Sequence, residues 1–114
     1  MKRLHACLFA CILMFALHVQ AVDIYVSPTG SDANEGSIEK PFATLKMAIR
    51  KARELRRLND PLIAGGIHII LKGGRYSLNE PVFIRPEDAG TAESPTIIEA
   101  APNELPVLSG GVEL

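Results

Sequence analysis

The sequence predicts a β-rich chain of short strands preceded by one amphipathic helix. Two observations carry this. Four- to five-residue apolar runs are separated by links rich in Gly, Pro, Asn and Asp, and a single stretch repeats its apolar residues at helical spacing. The first strand is expected at 23–27 and is closed by the turn residues Pro28-Thr29-Gly30. A polar loop, 31–37, follows. Phe42, Leu45, Ala48, Ile49, Ala52 and Leu55 recur at three- and four-residue steps, which predicts a helix over 44–58 with Thr44 as its N-cap. Asn59-Asp60-Pro61 ends it, because proline cannot continue a helix. Beyond Gly65-Gly66 the pattern becomes extended. Strands are expected at 67–71, 81–84, 96–100 and 106–109, with Gly73-Gly74 as a break after the first of them. Short strands with such links suit a hairpin sheet, a sandwich or a β-solenoid.

Residues 1–21 have the three parts of a secretory signal peptide. Lys2 and Arg3 form a positive start, 8–19 is apolar, and Val19-Gln20-Ala21 supplies a cleavage site. The apolar run is shorter than the ~20 residues a spanning helix needs, which disfavours a retained anchor. Cys7 and Cys11 come too early for a lipoprotein signal. Both cysteines leave with the leader, so the mature chain has no disulfide, thiolate ligand or thiol nucleophile. Lys2 and Arg3 are two of the 12 basic residues, so the remainder faces 13 acidic ones and is net acidic. No broad attraction to nucleic acid or anionic membrane is expected.

Several groups invite a chemical reading. Asp32-Ala33-Asn34-Glu35-Gly36 looks like half a calcium loop, yet it lacks the later bidentate acid, and Asx turns explain it. Lys46, Arg50, Lys51, Arg53, Arg56 and Arg57 load the helix with cations. Without interleaved aromatics this reads as a solvated face whose charges suit the helix C-terminus. His68 is the one histidine left after cleavage; alternation sets it opposite Ile67, Ile69 and Leu71, with no acid partner nearby in sequence. Glu87, Asp88 and Glu99 are carboxylates that nothing in the sequence joins into a pair. Arg75-Tyr76 could stack on a sugar, although packing of Tyr76 inside the fold is the simpler reading. No catalytic, cofactor-binding or metal-ligating residue is assigned.

Tyr25-Val26-Ser27-Pro28-Thr29-Gly30-Ser31-Asp32 followed by Lys40-Pro41-Phe42-Ala43-Thr44-Leu45 resembles the opening of secreted right-handed parallel β-helix proteins, the pectate-lyase-like superfamily. Four later pieces agree in order: Leu71-Lys72-Gly73-Gly74-Arg75-Tyr76, Pro86-Glu87-Asp88-Ala89-Gly90-Thr91, Pro95-Thr96-Ile97-Ile98-Glu99-Ala100 and Pro106-Val107-Leu108-Ser109-Gly110-Gly111. The resemblance implies an all-β solenoid. Residues 22–66 would form its strand, loop and capping helix, and 67–114 its first, truncated coil. A chain ending on the apolar strand 106–109 fits a truncation at Leu114 and an aggregation-prone edge.

The resemblance further implies a parent that processes polysaccharide outside the cytoplasm, as a glycoside hydrolase or a polysaccharide lyase. Its catalytic groups would lie beyond Leu114, and calcium is possible in the longer protein. The expected partner is a polysaccharide or oligosaccharide. Nucleic acid is not expected, nor is stable membrane insertion after signal cleavage. A non-catalytic secreted β-solenoid, an adhesin or carbohydrate-binding scaffold, is the rival reading. A small self-contained secreted protein is a third, should Leu114 be the true end.

Overall fold

The computed structural model describes residues 19–111. The proposed leader lies outside the described residues except for Val19, Gln20 and Ala21. The first extended run becomes strand β1 (Val22–Val26), with Ile24 and Val26 turned inward and Asp23 outward. Helix α1 (Leu45–Arg57) starts where the sequence places it. The Thr44 hydroxyl accepts the Met47 N–H at 3.2 Å. Asp32 supports the same end: its Oδ1 accepts the N–H groups of Ala43 and Thr44, both at 3.0 Å, and its Oδ2 accepts the Thr44 hydroxyl at 2.9 Å. Backbone donors that lack a partner inside the helix are thus satisfied by side chains. The helix ends with Asn59 at φ 50°. Asp60 then caps a short 3-10 turn, Pro61–Ile63, by accepting the Leu62 N–H at 2.9 Å.

The remaining strands are β2 (Ile67–Leu71), β3 (Gly74–Ser77), β4 (Thr96–Ala100) and β5 (Pro106–Ser109), with a second 3-10 turn at Pro86–Ala89. All the strand pairings are parallel. β2 lies between β1 and β4, and β3 pairs with β5. Parallel neighbours need a crossover, and α1 sits in the connection from β1 to β2. One core joins the helix to the sheet: Leu45, Ala48, Ile49, Ala52 and Leu55 meet Ile24, Val26, Ile67, Ile69 and Leu71. Val26, Phe42, Ile67 and Ile69 are its largest fully buried side chains. Each such apolar side chain contributes roughly 1.5–3 kcal/mol relative to exposure.

This overturns the expected all-β, right-handed parallel β-helix. Among the described residues no sheet is closed or wound into a solenoid. There are two open parallel sheets, and α1 supplies a large part of the core, so the class is mixed α and β. The helix expected to cap an open end acts as a crossover element packed on β1 and β2.

Two local expectations also change. Residues 81–84 form no strand: Pro81 has no N–H to donate, and no neighbouring strand is positioned to pair with the run. Gly74, read as a break, instead opens β3 at φ 121° and donates its N–H to the Leu105 carbonyl at 3.2 Å. Tyr76, on β3, is buried. Its hydroxyl donates to the Lys72 carbonyl at 2.6 Å and lies 3.1 Å from the Val26 carbonyl. Burial raises its pKa above the ordinary tyrosine value.

Candidate functional site

Parallel register decides what the three-stranded sheet shows to its outer side. Asp23 faces His68 and Ile97 across the sheet, while Tyr25 faces Ile70 and Glu99. The side chains of Ile24, Ile67, Ile69 and Leu71 turn the other way, into the core. Three strands therefore bring an imidazole and two carboxylates together. His68 Nδ1 lies 3.8 Å from Asp23 Oδ1 and 3.5 Å from Glu99 Oε1. All three side chains are partly open to solvent, His68 the least so at 34%.

Sequence reasoning gave His68 no acid partner and left Glu99 unpaired. Both judgements are corrected, because the partners come from separate strands and only the sheet register joins them. The face offers side chains that can hydrogen-bond hydroxyl groups. Its openness fits an extended ligand lying across the strands better than an enclosed small molecule.

The cationic helix face has a different role. Arg53 holds Asp88 in a two-pronged contact, Nε to Oδ1 at 2.8 Å and Nη2 to Oδ2 at 2.7 Å. The Arg85 N–H donates to Asp88 Oδ2 at 2.8 Å. Arg57 holds Glu87 with contacts of 2.5 and 3.3 Å, and Lys46 reaches Glu80 at 2.5 Å. Arg56 donates to the Ser94 carbonyl at 2.9 Å and to the Thr96 hydroxyl at 2.6 Å, while the Ser94 hydroxyl donates to the Ile63 carbonyl. Much of the basic run is thus a clasp that pins the connection from 80 to 96 onto α1.

The Arg53 fork holds the Asp88 carboxyl below its ordinary range despite the opposing effect of burial. Hydrogen bonding from Arg57 does the same to Glu87. Both carboxylates are committed to structure rather than to each other. Beside the clasp, α1 and the segment 81–86 enclose a groove of about 980 Å³, with Arg50, Phe83 and Ile84 in its lining.

The loop that resembles half a calcium site is a capping loop. Asp32 is occupied as described above, Asn34 donates to the Pro41 carbonyl at 3.0 Å, and Glu35 accepts the Ser37 hydroxyl at 3.2 Å. Among the described residues no cluster of three or more His, Cys, Asp or Glu side chains has a metal-holding arrangement. Among the described residues no helix is long and apolar enough to cross a membrane.

No protein-family model matches the chain. In sequence it is 33% identical over 92 residues to "Pectate lyase PEL9" of Emericella nidulans, a match covering 81% of this chain and 19% of that protein. In structure it superposes with a TM-score of 0.78 and 53% identity on a solved chain named "Glycoside hydrolase", covering 81% of this chain and 15% of that one. A solved "Rhamnogalacturonan lyase" matches with a TM-score of 0.51 and 25% identity over 77% of this chain and 22% of that one. The chain spans less than a quarter of each of these proteins. Over the segment it shares with them, the chain is related to pectate-lyase-like, carbohydrate-active proteins.

Proposed function

We propose that this chain is the exported N-terminal portion of a protein that processes polysaccharide, by hydrolysis or by lyase elimination. The carrying observation is the 53% identity, at a TM-score of 0.78, to a glycoside hydrolase over 81% of the chain. The pectate lyase and rhamnogalacturonan lyase relatives support the same substrate class. Export is supported by the positive, apolar and small-residue succession of residues 1–21. The outer sheet face with Asp23, Tyr25, His68 and Glu99 is the part of this chain that suits a saccharide. Carboxylates and imidazole can bond its hydroxyls, and the tyrosine ring can pack on a sugar face.

The test uses the protein encoded by the complete reading frame, incubated with polygalacturonate and with rhamnogalacturonan. Elimination yields an unsaturated uronate with strong ultraviolet absorbance. Hydrolysis yields new reducing ends without that absorbance. Saccharide binding with neither product would make the protein a non-catalytic carbohydrate scaffold. Absence of both product and binding on any plant or microbial polysaccharide would overturn the proposal.

A further inference from the structure

The outer face of the three-stranded sheet carries an excess of one sign of charge. Alternation along the strands puts Asp23 and Tyr25 of β1, His68 and Ile70 of β2, and Ile97 and Glu99 of β4 on that side. None of these three strands contains a lysine or an arginine. Helix α1 packs on the inner face, and its Lys46, Arg53 and Arg57 are held by Glu80, Asp88 and Glu87 of the connection behind the core. The carboxylates of Asp23 and Glu99 are each about half exposed, and His68 stands between them at 3.8 and 3.5 Å. Lys72, one residue beyond the end of β2, makes no ion pair with either carboxylate. With the imidazole neutral, the face is net acidic even when Lys72 is counted.

We propose that this face takes an uncharged saccharide and turns away a polyuronate. This rests on the reading of the face as the saccharide-binding part of the chain. An ionised carboxylate only accepts hydrogen bonds, so Asp23 and Glu99 call for a ligand rich in donors. Sugar hydroxyls supply those donors, and bonds from them to a charged acceptor are the stronger kind. A uronate instead adds an acceptor of the same charge, and like charges brought together suppress binding. The two carboxylates stand on β1 and β4, on either side of His68, so a saccharide laid across the strands meets one and then the other. Between them Tyr25, Ile70 and Ile97 offer an apolar floor for the C–H face of a sugar ring. Selectivity then comes from a repulsive element as well as an attractive one.

The test titrates the 114-residue chain with short oligogalacturonates and with the same oligomers fully methyl-esterified, which share one backbone and differ in charge. Neutral galactan and xylan oligomers extend the series. The buffer is kept at about pH 7.5, where an ordinary imidazole is neutral, and free of divalent cations that could bridge two carboxylates. Amide shifts of Tyr25, His68, Ile70 and Ile97 in nuclear magnetic resonance spectra report on this face alone. At least one uncharged oligomer is expected to move them with a Kd at least about five-fold below that of the free acid. In the double variant Asp23→Asn with Glu99→Gln, which keeps both shapes at exposed positions, that gap is expected to narrow to about two-fold or less. A free acid that moves the same amides as tightly as the uncharged oligomers, or more tightly, would overturn the proposal and leave the face a saccharide site. So would a gap that the double variant does not narrow. Amides that no oligomer moves would instead overturn the saccharide reading of the face itself, and the proposal with it.

Discussion

Replacing Asp88 with Asn removes the charge from a carboxylate that is only 4% exposed and keeps its shape. In the native fold that carboxylate takes both prongs of Arg53 and the Arg85 N–H, at 2.7 to 2.8 Å. An amide can still accept one of these bonds, but its NH2 would face the guanidinium. Hydrogen bonds to a charged group contribute about 1.5–3 kcal/mol, so a loss of about 2 kcal/mol is expected at pH 7. For a domain of this size that lowers the melting temperature by roughly 10 °C. The pH dependence adds a second check. Asp88 titrates below its unfolded value, so its contribution is fully present above the unfolded pKa and is lost as pH falls through the folded pKa. The gap between wild type and Asp88→Asn should therefore be full at neutral pH and close in acid, where wild type also loses the charge. Thermal melts by circular dichroism at neutral and acidic pH read both quantities. A gap below about 0.5 kcal/mol, the range of ordinary surface changes, or a gap that does not shrink in acid, would refute the clasp.

Thr44→Ala should cost about 1 kcal/mol by removing the N-cap of α1, read as a lower midpoint in urea with unchanged slope. Tyr76→Phe should cost about 1 kcal/mol through the hydrogen bond lost at the Lys72 carbonyl. Because burial raises its pKa, Tyr76 contributes stability that is present below the unfolded tyrosine value and disappears as pH rises through the folded one. An alkaline melt series on wild type and Tyr76→Phe shows whether it does. Ile98→Lys, on the edge strand β4 where Ile98 is 39% exposed, should reduce self-association of the isolated chain, measured by sedimentation at several concentrations; unchanged association would show that the edge is not the contact.

The helix was legible because an apolar face at helical spacing and a threonine cap are both local signals. α1 accordingly begins one residue after Thr44. β2, β4 and β5 were legible as short β-branched or apolar runs. Strand β3 was hidden because Gly73-Gly74 looks like a break, whereas Gly74 at positive φ enters a ladder with Pro106. The run 81–84 misled in the opposite direction: Val82, Phe83 and Ile84 favour a strand, but strand formation also needs a partner. A period of two reveals faces and not neighbours. Parallel pairing was therefore expected only through the resemblance, and the open mixed architecture was beyond the reach of pattern reading. The meeting of Asp23, His68 and Glu99 was hidden for the same reason. The clasp left a faint trace in the sequence: Arg53 and Arg57 share a helix face, and adjacent Glu87 and Asp88 offer opposite charges.

The connection from 80 to 96 is held mainly by ions and side-chain hydrogen bonds, whereas the sheets are held by backbone ladders. The two should respond differently to salt. Screening shortens the reach of the exposed pairs Lys46–Glu80 and Arg57–Glu87 and leaves amide-to-carbonyl bonds nearly untouched. Raising ionic strength should therefore speed hydrogen exchange in this connection before it affects β1 or β2, so that the molecule opens in two steps with separate salt sensitivities.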